Sequence, residues 1–260
     1  MKELSRAQEI DRSIIREFRV SIWNAFTKAV KTYELIQPGD RIAVCVSGGK
    51  DSMLMAKCMQ HFQKYGNIPF KLEFLCMNPG YAEENWNQIQ KNAEILQLPL
   101  RTFQTRIFEV VNKQERHPCY LCARMRRGHL YEAAKNLGCN KIALGHHFDD
   151  VIETILMGML YGSQTQTMMP KLHSANFSGM ELIRPLYFMR EADVIQWAEF
   201  HHLKFIQCAC RMTQEHPEQE TASKRKETKA LIVQLKKTNP DVEKNIFNSV
   251  CNVNLRTIIS

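Results

Sequence analysis

Arg41-Ile42-Ala43-Val44-Cys45-Val46-Ser47-Gly48-Gly49-Lys50-Asp51-Ser52 is the stretch on which the fold turns. Its first half, β-branched at Ile42, Val44 and Val46, is a short apolar run of the kind buried in parallel sheets. A glycine pair follows, and from Ser52 to Tyr65 the apolar residues recur at helical spacing. A strand that runs through a glycine turn into a helix is the opening of a βαβ unit.

Upstream, Gln37-Pro38-Gly39-Asp40 ends a helical pattern from about Ser5 to Leu35, carried by Ile14, Ile15, Phe18, Ile22, Ala25, Phe26, Val30 and Tyr33. Downstream, strand-like and helix-like segments alternate. The strand Lys71 to Met77 precedes a helix from about Glu83 to Leu96, and the strand Leu98 to Thr105 precedes a helix from about Tyr120 to Leu137. Lys141 to His146 is then a strand and Asp149 to Tyr161 a helix, followed by a strand from Glu181 to Leu186 and a helix from about Glu191 to His202. Lys204-Phe205-Ile206-Gln207-Cys208 reads as the last strand. This alternation predicts an α/β fold with a doubly wound, mostly parallel sheet. We divide the chain into an N-terminal helical arm (1–36), the sheet domain (37–210) and a basic C-terminal helical segment (211–260).

The chain has 260 residues, 44% of them hydrophobic and 24% charged, which is ordinary globular usage. Met1-Lys2-Glu3-Leu4-Ser5-Arg6 lacks the apolar centre of a signal peptide, and no segment reaches the roughly 18 apolar residues of a membrane span. The expectation is a cytoplasmic protein with no membrane partner. Nine cysteines then read as thiols or metal ligands rather than disulfides. A net charge of +8 favours a polyanionic partner.

Ser47-Gly48-Gly49-Lys50-Asp51-Ser52 is an anion-binding design. Two glycines let consecutive N–H groups face a phosphate, the serine hydroxyls add donors, and the helix dipole favours negative charge. Lys50 can offset charge, and Asp51 can help hold Mg2+ bridging phosphate oxygens. No glycine lies six positions before Lys50, so this is not a Walker loop, and it is not a dinucleotide fingerprint either. At average usage the hexapeptide arises by chance in roughly one chain in fifty thousand of this length. It resembles the pyrophosphatase loop of the N-type ATP pyrophosphatases. That resemblance implies the adenine nucleotide alpha hydrolase-like fold, binding of ATP, and attack of a substrate oxygen on the α-phosphate with release of pyrophosphate.

Gly145-His146-His147-Phe148-Asp149-Asp150 again joins a predicted strand to a helix, on the same side of the sheet. Gly145 would permit close approach to the nucleotide. Asp149 is expected to cap the helix, and Asp150 to face the nucleotide as a Mg2+ ligand or orienting group.

Cys119-Tyr120-Leu121-Cys122 is a CxxC at a helix start, a spacing that nine cysteines in 260 residues produce roughly 0.3 times by chance. Cys208-Ala209-Cys210 follows the last expected strand. Physical chemistry leaves three readings open: a four-thiolate zinc site, a persulfide carrier with a resolving partner, and a [4Fe-4S] cluster on three thiolates with an open iron. Cys45, Cys58, Cys76, Cys139 and Cys251 sit where small buried hydrophobes are the default.

The run from Cys119 through Arg127-Gly128, with Lys141 to Asp150, Tyr161-Gly162, Met169-Pro170-Lys171-Leu172 and Ile183-Arg184-Pro185-Leu186, looks like the tRNA 2-thiocytidine synthetases. The resemblance covers about Arg41 to Cys210. It implies 2-thiolation of a cytidine in the tRNA anticodon loop, at position thirty-two, with a cysteine desulfurase as sulfur source. It also implies a [4Fe-4S] cluster on Cys119, Cys122 and Cys208, the last because its place after Phe205-Ile206 matches the first cysteine of the downstream motif. The family's second CxxC is here Cys208-Ala209-Cys210. Lys50, Asp51 and Asp150 are the expected catalytic residues, and Ser47, Gly48, Gly49, Ser52 and Gly145 complete the expected ATP site. Candidate RNA contacts are Arg124, Arg126, Arg127, the arm's Arg12, Arg16 and Arg19, and the basic segment 224–237, each of which taken singly reads as an ordinary solvated charge. The helical arm is a candidate homodimer surface. Two other readings use the same residues differently: cluster-free modification of another nucleoside, and an RNA-binding protein with structural zinc.

Overall fold

A computed structural model describes residues 4–111, 118–206, 224–254 and 256, with 118–120 described by backbone alone. Among the described residues the centre is one six-stranded sheet, ordered β3-β2-β1-β4-β6-β5. Its strands are β1 (Arg41–Cys45), β2 (Lys71–Asn78), β3 (Leu100–Gln104), β4 (Lys141–Ala143), β5 (Lys171–His173) and β6 (Glu181–Ile183). All pairings are parallel except that of β5 with β6.

Alternation along β1 explains why both faces are covered. Ile42, Val44 and Val46 point into a large core with Met53, Leu54 and Trp197, while Ala43 and Cys45 join Tyr131 and Ala134 on the other face. The first core holds α3 (Lys50–Tyr65) and α8 (Glu191–Phe200), and the second holds α6 (Pro118–Asn136). The remaining helices are α1 (Arg6–Ile15), α2 (Asn24–Thr32), α4 (Glu83–Ile95), α5 (Ile107–Val111), α7 (Phe148–Gly162), α9 (Lys224–Lys236) and α10 (Val242–Ser249). The sheet is therefore doubly wound and mostly parallel. Lys141 fixes its amino-terminal edge: the buried ammonium lies 2.8 Å from Asp40 and 3.2 Å from Glu181, and donates to the Leu35 carbonyl at 3.1 Å.

The N-terminal helical pattern divides. Ser5 and Gln8 form a capping box on α1, and a π-helical turn, Arg19–Trp23, leads into α2. Ile10, Ile14, Phe18, Ile22 and Phe26 all lie in the same core as β1. Burying five such side chains contributes on the order of 10 kcal/mol, so the segment packs as part of the fold and its apolar stripe is covered from within. Lys57, 1% exposed, seals the junction by reaching Asp11 at 2.7 Å and the Leu96 carbonyl at 2.9 Å.

Three elements differ from the sequence expectation. Lys204–Ile206 does not join the sheet; the Lys204 carbonyl accepts from Gln88 and Asn92 side chains instead, and 207–208 lie outside the described residues. β5 and α5 are additions of three and five residues, too short to show a period. No described helix is long and apolar enough to cross a membrane.

Candidate active site

Strand order reverses between β1 and β4: β2 and β3 extend one way from β1, while β6 and β5 extend the other way from β4. A crevice opens beyond the carboxyl ends of strands at such a point. The two loops singled out in the sequence leave from those two strands, and they meet there.

The 47–52 loop is held by its own serines. The Ser52 hydroxyl donates to the Gly49 carbonyl at 2.9 Å and accepts from the Ser47 N–H at 3.0 Å. Ser52, expected as a phosphate donor, is thus buried as the staple of the turn. Gly48 has φ +88°, a conformation side chains resist, and Gly49 is the N-cap of α3 with no side chain capping it. The first-turn N–H groups of α3 therefore remain donors for an anion. Lys50 Nζ lies 3.3 Å from Asp51 and 3.1 Å from Glu191. Burial alone would lower the Lys50 pKa, but these two carboxylates raise it. Asp51 is displaced upward because burial outweighs Lys50 and His147. Its Oδ1 is buried with no hydrogen bond and has the Lys50 ammonium 3.3 Å away, so this oxygen already faces positive charge.

In the second loop, capping falls to different residues than expected. His147 is the N-cap of α7; its Nδ1 accepts from the Asp150 N–H at 3.3 Å, and Asp150 Oδ2 accepts from the His147 N–H at 3.0 Å. The His147 Nε2 lies 3.7 Å from Asp51 Oδ1. Asp149 does not cap α7. It accepts from the Glu191 N–H at 2.7 Å and from Arg190, so it caps α8. Burial would raise the Asp150 carboxyl, but His147, His146 and Arg225 hold it below the usual range. His146 is pushed down to about 4 by burial, with the Arg184 charge acting in the same direction, and is neutral at pH 7. Gly145 approaches protein rather than leaving a gap: a Cβ there would lie 3.0 Å from the Ser52 N.

A cavity of about 610 Å³ occupies the crevice. Ser47, Asp51, Ser52, Gly145 and Asp150 line one part of it, and Arg126, Arg127, Arg184 and Arg225 other parts. Arg126, on α6, donates to the Tyr81 hydroxyl at 2.9 Å, and that hydroxyl lies 3.5 Å from the Ser47 carbonyl. The helix that begins with the CxxC is thereby tied to the 47–52 loop. From the C-terminal segment, Arg225 reaches Asp150 at 2.6 Å, and Lys229 pairs with Glu191. Burial would raise Glu191, yet Lys229 and Lys50 hold it down at about 2.

Of the expected residues, the structure brings Ser47, Asp51, Ser52, Gly145 and Asp150 to one cavity, with Lys50 beside them through Asp51. Arg124, Arg12, Arg16 and Arg19 are exposed and do not line it. Cys122 is half-buried in the first turns of α6. The Cys119 side chain, Cys208 and Cys210 lie outside the described residues. Cys45, Cys58, Cys76 and Cys139 are buried as expected; burial pushes the Cys45 and Cys76 thiols up to about 12 and Cys139 up to about 11, so they stay protonated. Cys251 departs from that expectation: it is exposed, in the turn after α10. Sequence reasoning quotes His146, His147 and Arg184 only as members of motifs and assigns no role to them, to Tyr81 or to Glu191. The one local signal among them is Arg184, a charge inside the apolar run 182–186.

A family model described as a PP-loop domain matches residues 20–215. A tRNA-cytidine(32) 2-sulfurtransferase from Vibrio campbellii is 34% identical, over 92% of this chain and 77% of the relative. Another, from Neisseria meningitidis serogroup A, is 37% identical over 71% of this chain and 59% of the relative, so the match spans less than two thirds of that relative's length. Among solved structures, the U34-tRNA thiolase NcsA from Methanococcus maripaludis with its [4Fe-4S] cluster shares the fold, with a TM-score of 0.67 and 22% identity over 91% of this chain and 79% of that one.

Proposed function

The chain belongs to the PP-loop domain family and, within it, to the tRNA-cytidine(32) 2-sulfurtransferases, and from that premise we propose that it uses ATP to exchange the 2-oxygen of cytidine 32 in tRNA for sulfur. The observation that carries this reading is the convergence, on one cavity, of the 47–52 loop, Asp150 and the arginines of the CxxC helix.

The oxygen to be replaced is a poor leaving group, so it is first activated. It attacks the α-phosphate of ATP, the bond to the pyrophosphate oxygen breaks, and the base becomes an adenylate. Sulfide then attacks C2 and AMP departs with the original oxygen. The 47–52 backbone and Lys50 receive the pyrophosphate; Asp51 and Asp150 are the residues that would hold Mg2+, which would supply neutralising charge for the departing pyrophosphate. The buried Asp51 oxygen without a hydrogen bond fits that cation. Tyr81, between Ser47 and Arg126, keeps the nucleotide loop and α6 in fixed relation, which is the proximity that a two-step transfer needs. Cys119, Cys122 and Cys208 are the residues that would hold a [4Fe-4S] cluster, which would supply a binding place for the incoming sulfide. A cysteine desulfurase is the upstream sulfur source.

Anaerobic reconstitution tests the reading. Cys119→Ala should lose the visible absorbance of the cluster and at least a hundredfold of thiolation, measured by nucleoside mass spectrometry, while ATP binding persists. Full thiolation by cluster-free protein would sink it.

A further inference from the structure

Three partly exposed arginines in this fold have carboxylates: Arg190 has Asp149 and Glu243, Arg225 has Asp150 and Glu153, and Arg41 has Glu73. Arg184 does not. It follows the last residue of β6, is 7% exposed and lines the cavity. Its Nε donates to His146 Nδ1 at 3.3 Å and its Nη1 to the Met169 carbonyl, both neutral partners; among the described residues it makes no ion pair. Arg127 of α6 lines the same cavity, is exposed, and makes neither a hydrogen bond nor an ion pair among the described residues. The two are close enough to repel: burial pushes the Arg184 guanidinium down to about 10, and the Arg127 charge acts in the same direction.

A buried cation without an ion-pair partner is costly, and a second cation beside it adds to the cost, which the more distant Asp150 charge offsets only in part. The arrangement suits a ligand that brings negative charge. The pyrophosphate of ATP is not well placed to be that ligand, because the 47–52 loop leaves β1 and Arg184 leaves β6, with β4 between them. Two strand spacings put roughly 10 Å between these points. Arg127 is open to solvent while Arg184 lies inside, so the occupant enters from outside and reaches inward.

We propose that Arg184 and Arg127 receive a phosphodiester of the RNA strand beside the nucleotide being modified, so that the cavity holds two anions: the nucleotide's at the 47–52 loop and the strand's at the end of β6. This rests on the tRNA-modifying reading above. A base drawn from an unpaired loop into a pocket brings its own backbone to the pocket wall, and paired guanidiniums match the two free oxygens of a phosphodiester.

The test compares R184Q, R127Q and R184K with wild type in binding unmodified tRNA transcript over a series of KCl concentrations, with ATP binding measured by calorimetry on the same preparations. R184Q and R127Q should each weaken tRNA binding about tenfold or more at low salt and flatten the slope of log affinity against log salt by about one. R184K should restore the slope and only part of the affinity. ATP affinity should be unchanged in all three. An unchanged tRNA slope in both glutamine variants overturns the proposal, as does a loss of ATP affinity with tRNA binding intact, which would give Arg184 to the nucleotide. R127Q, on an exposed side chain, keeps the test decisive if R184Q does not fold. Wild-type protein that binds ATP but no tRNA overturns the underlying reading, and the proposal with it.

Discussion

At Gly145 a single hydrogen atom keeps the two loops of the site together. A Cβ would lie 3.0 Å from the Ser52 N and 3.1 Å from both Asp51 C and Ser52 Cα, all backbone atoms at the start of α3 that cannot swing aside. Gly145→Ala should therefore cost about 1–3 kcal/mol, the usual range for overpacking, and should weaken ATP binding by moving the N–H groups of the 47–52 loop. Urea unfolding and ATP titration of the same variant check this; wild-type values in both would mean the loops are not in contact. Gly48 is constrained differently, by φ +88° and by Ile89, whose Cγ1 would be 2.5 Å from an added Cβ. Both glycines are visible in the sequence as motif members, but only one reason for them is. The need at Gly48 follows from the turn itself, whereas the need at Gly145 comes from a loop nearly a hundred residues earlier.

Among the elements, α10 has the clearest single attachment. Arg190, at the N-cap of α8, holds Asp149 at 2.8 Å and Glu243 at 2.6 Å, with its guanidinium over the Phe148 ring. One residue thus joins the starts of α7, α8 and α10. Arg190→Ala should destabilise the protein by about 2 kcal/mol, since Asp149 keeps the Glu191 N–H and Glu243 keeps Lys236. Hydrogen exchange should show the loss concentrated in α10, and Arg190→Lys should recover only part, because an ammonium cannot present a fork to two carboxylates. A loss of protection in α10 no greater than in the other helices of the alanine variant would contradict this. Elements of this length were also where reading by pattern worked best. β1, β2 and β4 are apolar runs, and α3, α4, α6, α7 and α8 begin and end within a few residues of expectation. Lys204–Ile206 misled because Phe205 and Ile206 are apolar for another reason: they pack against the main core while the neighbouring Lys204 carbonyl is taken by α4 side chains. The capping of α7 misled because an aspartate pair at a helix start signals a cap without saying which residue serves which helix.

Taken whole, the molecule loses stability toward acid in two windows. In the first, between pH 6.5 and about 4, an unfolded His146 binds a proton that the folded one refuses, because burial and then Arg184 hold it down to about 4. The unfolded state binds more protons there, so stability falls as pH drops. Below about 4.5, Glu191 adds to this. Burial opposes its ionisation, but Lys229 and Lys50 hold its folded value at about 2, so its contribution is present above 4.5 and is lost as pH falls toward 2. His146→Gln should flatten the dependence of the urea midpoint on pH between 6.5 and 4 and leave the lower window in place; an unchanged slope in the upper window would show that His146 titrates normally. These long-range charge partners explain why the site was only half legible. Loops 47–52 and 145–150 are contiguous and declare themselves, whereas Arg184 and Arg225 reach the cavity, and Glu191 and Tyr81 reach the 47–52 loop, from four other parts of the chain, and no spacing announces that meeting.

The adjacency of β1 and β4 has one more consequence. Their register, Ile42 with Lys141 through Val44 with Ala143, is fixed by backbone hydrogen bonds, so the gap between the two loops is one strand spacing, about 4.8 Å. That gap works as a fixed gauge. Side-chain substitutions within the sheet cannot widen it without breaking the ladder, and the arginines that line the cavity belong to α6, the end of β6 and α9. An engineer wishing to change the polynucleotide taken by the proposed reaction, while keeping the PP-loop, has those three surfaces to redesign and should leave the two central strands alone.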